Sequence, residues 1–191
     1  MRKATYNVDD KSLLDSIFSF FVSNGLENIT IREICRGTGI SQGTLYYWFG
    51  DKSNLICEVT EYGLKKVVDK IFEYVFFSLN DLYSFFNTFL NEIDKYKDDL
   101  RFIYQMAASH KYGEKLREIG HGINKTYDEY VYRLAQKFEC SERSLQPLVY
   151  LFISAILDYV IWDEKEMTKI QLKYICASLP DEIKKLSEAC E

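Results

Sequence analysis

"TIREICRGTGISQGTLYYWF", residues 30 to 49, decides how this chain is read. Thr30 followed three residues later by Glu33 is a capping-box pattern, so a helix should open there. That helix runs to about Arg36 and stops at Gly37-Thr38-Gly39. Ser41 opens a second short helix, to about Tyr47. Ile31, Ile34 and Cys35 can face inward from the first, and Gly39 can relieve the backbone at the tight turn. Ile40 and Leu45 can plug the angle between the two helices, and Phe49 can close it. The second helix then offers Ser41, Gln42, Thr44, Tyr46 and Tyr47 outward, and Gly43 lets the backbone itself come close to another surface. Two short helices joined by a glycine-containing turn form the helix-turn-helix that reads duplex DNA. A helix N-terminus carrying small polar residues can approach phosphates and base edges closely.

Working outward, helical spacing continues almost everywhere and no strand is predicted. Leu14, Ile17, Phe18 and Phe21 make one face of a first helix, about Asp9 to Ser23, ended by Asn24-Gly25. Asp51 opens a long helix to about Phe77. Further helices carry Leu82, Phe86, Phe89 and Ile93, then Phe102, Ile103 and Met106, then Ile123, Tyr127, Val131, Leu134 and Phe138. Residues 145–163 are apolar nearly all round. A last stretch, 167–189, can break at Pro180, with Ser178 as a cap for a final short helix. The expected fold is all-α: a three-helix DNA-binding domain over residues 1–54, then a larger helical ligand-binding and dimerisation domain over 55–191. The boundary falls inside the fourth helix, which should couple the two parts mechanically.

Composition narrows the function classes. The chain has 191 residues, 47% apolar, 28% charged and 16% aromatic, with two prolines and nine glycines. This excludes disorder, a collagen-like chain and a disulfide scaffold. Five scattered cysteines (35, 57, 140, 176, 190) contain no Cys-x-x-Cys, so a reduced compartment is expected and a zinc ribbon is not. The N-terminus lacks an apolar signal-peptide core. The longest apolar run, Leu148 to Trp162, is interrupted by Ser154 and Asp158 and is shorter than the roughly 20 residues of a span. A cytoplasmic location with no membrane partner is expected. Of 24 Lys/Arg and 29 Asp/Glu, residues 1–54 hold six of each, so the acidic balance lies wholly in the remainder. That argues against a non-specific nucleic-acid coat and leaves room for a locally binding head.

Residues 13–56, through the Gly25 stop, "TIREI", "GIS-x-GTLYY-x-F" and "DK-x-x-L", resemble the N-terminal domain of the TetR family of bacterial repressors. The resemblance implies roles residue by residue. Thr30 would hold a phosphate at the start of its helix. Ser41, Tyr47 and Lys52 sit where the family contacts backbone phosphates. Gln42, Gly43, Thr44 and Tyr46 sit where it reaches bases or sugar edges, and Arg32 lies near the groove. The sequence departs from the family at two positions. Gln42 replaces a frequent lysine and offers an amide that can pair with adenine. Trp48 replaces a frequent histidine and has only an indole N–H to donate. With no cation between Arg36 and Lys52, a shallow salt dependence is expected.

The body should supply a dimer and a sensor. A helix apolar on every side must be buried on every side. Leu148, Leu151, Phe152, Ala155, Tyr159 and Trp162, with Ile175, are therefore expected in a two-fold four-helix interface, and the family usually dimerises through its last two long helices. Two-fold symmetry implies a roughly palindromic operator. Tyr62, Phe86, Phe89, Tyr104, Met106, Tyr127 and Asp158 are the expected contacts of a hydrophobic or aromatic small-molecule effector. Asp158 has a plainer alternative: it faces solvent, or accepts a hydrogen bond from Tyr127 or Tyr159.

The reading is of a regulator, a repressor released by its effector, with no cofactor and no metal. An enzyme is not expected. Glu118-x-x-His121 occurs once only, with no second copy to complete a di-iron site, and no nucleophile elbow, phosphate loop or dinucleotide fingerprint is present. The alternative is a ligand-independent dimeric DNA-binding adaptor with the same head.

Overall fold

A computed structural model describes residues 8–25 and 29–181, apart from the side chains at 8–10, 117 and 119–126. Every element among the described residues is an α-helix. In chain order they are α1 (Val8–Asn24), α2 (Ile31–Thr38), α3 (Gln42–Phe49), α4 (Lys52–Ser78), α5 (Leu82–Asp94), α6 (Lys97–Ala108), α7 (Gly113–Phe138), α8 (Glu142–Trp162) and α9 (Lys165–Ala177). The final short helix expected beyond Pro180 lies outside the described residues, as does Cys190.

The chain forms two compact units. The first combines residues 1–66 with 98–119, and the second combines 67–97 with 120–191. These compact units do not divide at 54, for a physical reason. The three-helix head does not close its own core. Leu14, Ile17, Phe18, Phe21, Ile34, Leu45 and Phe49 are joined there by Leu55, Ile56 and Val59 of α4 and by Phe102, Ile103 and Met106 of α6. Phe102 meets Phe18 edge-on at 5.9 Å and Phe21 at 6.0 Å. Gly63, in the middle of α4, lets the Phe18 ring lie directly on its backbone, where a Cβ would clash. Asp15 of α1 adds a polar tie to the same helix, taking a hydrogen bond from Tyr62 (3.0 Å) and an ion pair from Lys66 (2.5 Å).

The second unit packs the distal half of α4 with α5, α8, α9 and most of α7. Phe85, Phe89 and Phe152 stack at 4.8 to 6.1 Å. Along α4 and α7, Phe72 stacks on Tyr130 at 3.9 Å, and Arg133 pairs with Glu73 at 3.0 Å while lying over Phe72 and Phe76. Tyr159 donates to Asp94 at 2.5 Å. Asp163 turns α8 into α9 with a left-handed φ of 64°. By length and composition α8 is apolar enough to cross a membrane. Its Leu145, Ala155, Ile156, Tyr159 and Val160 are buried within the unit.

Candidate nucleic-acid interface

The reading pair is built by short-range chemistry. Thr30 caps α2 with a complete capping box: its hydroxyl oxygen accepts from the Glu33 N–H, and the Glu33 carboxylate accepts from the Thr30 N–H at 2.7 Å. Gly39 ends α2 at φ 72°, the left-handed turn expected of it. Ser41 caps α3 by accepting from the Thr44 N–H at 3.0 Å, and its hydroxyl lies 2.8 Å from that of Thr44. Gly50 ends α3 at φ 76°, and Asp51 then accepts from the Asn54 N–H at 2.8 Å to start α4.

Burial then sorts the side chains of α3. Leu45 and Phe49 are buried, while Ile31, Cys35 and Ile40 are half-buried against the same core. Ser41, Gln42, Gly43, Tyr46, Tyr47 and Trp48 are exposed, and Thr44 is half-buried. Tyr47 is 82% exposed, far beyond what a packing residue shows. Trp48 is 39% exposed and meets the Tyr47 ring edge-on at 6.1 Å. Thr30 and Arg32 are exposed, and Lys52 is half-buried. All ten residues expected to touch DNA thus retain accessible surface on the first unit.

Two details go beyond the sequence reading. A Cβ on Gly43 would meet only the Ser41 hydroxyl, at an ordinary 3.8 Å, so nothing within the chain requires glycine there. The α2 N-terminus is occupied from within. The Thr30 hydroxyl donates to Glu33 at 2.8 Å, and these bonds from Thr30 hold the Glu33 carboxyl below its ordinary range. A phosphate reaching Thr30 meets that carboxylate first.

The expected effector residues do not gather. Tyr62, Tyr104 and Met106 belong to the first unit, and Phe86, Phe89, Tyr127 and Asp158 to the second. Met106 and Phe89 are fully buried core residues. Tyr62 is committed to Asp15. Tyr127 meets the Tyr150 ring at 6.5 Å, and burial pushes its phenol pKa up. The second unit does hold a cavity of about 60 Å³, lined only by apolar side chains: Val75, Leu79, Phe85, Leu134, Leu145, Leu148, Val149, Phe152, Ile175, Cys176 and Leu179. None of the seven expected residues lines it. Burial pushes the Cys176 thiol up to about 12, so it stays protonated.

The residues expected at the dimer face differ in burial. Ala155 and Tyr159 are buried within the unit, and Leu148, Phe152 and Ile175 line the cavity. Leu151 and Trp162 are exposed, at 54% and 70%. The outward apolar residues that the sequence reading missed are Tyr150 and Ile161 on α8, and Met167, Ile170 and Tyr174 on α9. The polar interruptions Ser154 and Asp158, four residues apart, marked the outward side. Tyr159 gives its hydroxyl to Asp94 and not to Asp158, which is half-exposed.

Residues 13–59 match the family model described as bacterial regulatory proteins, tetR family. The match supports a TetR-family DNA-binding transcriptional regulator. No curated protein and no solved structure gives a match.

Proposed function

We propose that this regulator acts as a cytoplasmic homodimeric repressor, released from a palindromic operator by a hydrophobic small molecule. The observation that carries the DNA-reading assignment is the division of α3, with Leu45 and Phe49 inward and Gln42, Gly43, Tyr46, Tyr47 and Trp48 outward. In this reading Ser41, Tyr47 and Lys52 hold backbone phosphates, with Thr30 engaging one only as Glu33 yields. Gln42, Thr44 and Tyr46 meet bases or sugars. Gly43 brings the α3 backbone close to the groove, Arg32 lies beside it, and Trp48 supports Tyr47.

The effector step rests on the apolar cavity of the second unit. Its lining offers no hydrogen-bond partner stronger than the weak Cys176 thiol, so it would select for hydrocarbon surface rather than for polar groups. A ligand that binds one conformation better than another lowers operator affinity by that difference, commonly about 1–3 kcal/mol. At about 60 Å³ the cavity must open to take a whole ligand, since such sites usually run to about 300–1,000 Å³. That small volume favours a second reading, a ligand-independent dimeric adaptor with the same head.

Two measurements test these readings. Fluorescence anisotropy with duplex DNA from upstream of the protein's own gene, at low salt, should show binding that competitor DNA of random sequence does not remove. Absence of any duplex binding would overturn the DNA-reading assignment. A thermal-shift screen with hydrophobic compounds separates sensor from adaptor, because a ligand of the native state must raise its apparent stability.

A further inference from the structure

The corner between α3 and α4 is flanked by two expected phosphate contacts, Tyr47 near the end of α3 and Lys52 at the start of α4. Gly50 and Asp51 turn the chain between them. The Gly50 N–H closes α3 on the Tyr46 carbonyl at 3.0 Å, and the Asp51 N–H reaches the Phe49 carbonyl at 2.9 Å. Asp51 then commits both carboxylate oxygens to Asn54. One accepts from the Asn54 backbone N–H at 2.8 Å, the other from its side-chain amide nitrogen at 3.1 Å. With the nitrogen spent on Asp51, the amide oxygen of Asn54 is turned away and needs a donor of its own. It accepts from the Lys115 ammonium, on α7, 61 positions further along the chain and within the same compact unit.

Lys115 is itself held in place. Its neighbours Tyr112 and Leu116 are buried in the head core together with Leu55, Ile56 and Val59 of α4. Ser109 fixes the turn into α7: its hydroxyl oxygen accepts from the Lys111 and Tyr112 N–H groups at 3.2 and 3.4 Å, and its carbonyl accepts from the Gly113 N–H at 2.8 Å. The ammonium therefore reaches the first turn of α4 from a fixed base. Its charge acts there, since burial raises the Cys57 thiol pKa and Lys115 opposes the rise.

We propose that Lys115 is a positioning residue for DNA binding: through Asn54 and Asp51 it fixes the start of α4, and with it the placement of Lys52 against the end of α3. The inference rests on the DNA-reading assignment above and adds a residue from far outside the helix-turn-helix that sets its geometry. Without Lys115 the Asn54 amide can turn over, which would point its oxygen at the Asp51 carboxylate, acceptor against acceptor. The corner then loses its side-chain tie and keeps only the backbone one. Lys115 is half-buried and acts through Asn54, not as a phosphate contact.

Fluorescence anisotropy of the full chain, with the duplex from upstream of its own gene, tests this role. K115M keeps the side-chain length and removes the donor. It should weaken binding about tenfold, with the urea unfolding midpoint nearly unchanged. K115R keeps a cationic donor and should bind within about threefold of wild type. The slope of log affinity against log salt should be the same in K115M as in wild type, whereas loss of a phosphate contact would reduce it by about 0.9. N54A removes the middle of the chain of bonds, so K115M/N54A should bind no more weakly than N54A alone. Wild-type binding in K115M, a slope reduced by a whole contact, or losses in K115M and N54A that add would each overturn the positioning role. So would a K115M that loses stability in step with affinity and is not rescued by K115R. If Y47A loses binding and K115M does not, this inference alone fails; a wild type that binds no duplex overturns the DNA-reading assignment along with it.

Discussion

The pair α2–α3 and the pair α8–α9 were both visible in the sequence as helices, yet only the first could be oriented from it. In α2 only Ile31, Ile34 and Cys35 are apolar, so its inward side is forced; α3 holds Leu45, Tyr46, Tyr47, Trp48 and Phe49, and is oriented by its one aliphatic residue, Leu45, with Phe49 four positions on. Ile34, Leu45 and Phe49 are buried, and a capping residue fixes each start. In α8 nearly every position is apolar, so either side satisfies the hydrophobic effect and the choice falls to tertiary packing. The sequence alone puts Leu148, Phe152, Ala155 and Tyr159 at a partner-facing surface, whereas within the chain they face the core or the cavity. A short amphipathic helix carries its orientation in its sequence. A long apolar one carries only the fact of its burial.

The sharpest way to break this contrast is to remove one aromatic from each region. Phe89 is fully buried and lies 4.9 Å from Phe85 and 4.8 Å from Phe152. Phe89→Ala should cost about 3–5 kcal/mol of stability by chemical denaturation, the ordinary loss for a buried aromatic. Tyr47 is 82% exposed, and Tyr47→Ala should leave the unfolding midpoint nearly unchanged, within about 0.5 kcal/mol. The same change should weaken operator binding about tenfold or more, each factor of ten being about 1.4 kcal/mol. A comparable loss of stability from Tyr47→Ala would mean that α3 keeps its aromatics for packing.

Gly43 sharpens the contrast further. The fold leaves room for a Cβ there, and alanine is the better helix former. Gly43→Ala should therefore raise stability by up to about 1 kcal/mol and lower operator affinity. Opposite signs in the two measurements would separate a residue kept for close approach from one kept for the fold. If both rise, the backbone at Gly43 does not lie against DNA.

How much was legible follows the same division. The helix starts at Thr30 and Ser41, the stops at Gly25 and Gly39 and the inward set of α2 and α3 could be read, because caps and left-handed glycines are local chemistry. The closure of the head core by Phe102, Ile103 and Met106 could not, since Phe102 lies far along the chain from the Phe18 and Phe21 rings it meets, and the apolar face of its helix names no partner. Nor could the cavity, where α4, α5, α7, α8 and α9 each contribute one to four ordinary apolar residues. Aromatic content pointed to a ligand lined by phenols, but Tyr62, Tyr130 and Tyr159 are instead each bound to an aspartate. Of these, only Asp15 lies in the first unit.

That tyrosine–aspartate tie gives a smaller, pH-dependent effect. Burial, and then the bond to Asp15, push the Tyr62 phenol up to about 12. An unfolded tyrosine releases its proton near pH 10. Between about pH 10 and 12 the unfolded chain has lost this proton while the folded chain retains it, so stability falls as pH rises through that window. Tyr62→Phe should remove part of that fall while changing stability little at pH 7. Urea unfolding at pH 7, 10 and 11 checks it, and an unchanged alkaline slope would show that Tyr62 does not carry the effect. A Tyr130→Phe control in the second unit should flatten the same limb, because the phenol there is raised by burial and by Asp69.

The smallest effect concerns salt. The accessible cations on α2 and at the start of α4 are Arg32, Arg36 and Lys52, and α3 carries none. Neutralising three phosphates per head gives a slope of log affinity against log salt of about −3, or about −6 for two heads. Readers that make many phosphate contacts reach about −10. Glu33 pulls in the same direction, since its ionised carboxylate covers the α2 N-terminus that would otherwise draw a phosphate. Glu33→Gln keeps an acceptor for the capping box and removes the charge. It should raise operator affinity at low salt by a few-fold and steepen the slope slightly, with the gain fading as salt screens the carboxylate. An affinity that falls in Glu33→Gln at every salt concentration would mean that the carboxylate serves the interface by fixing α2, and that its repulsion of phosphate is negligible.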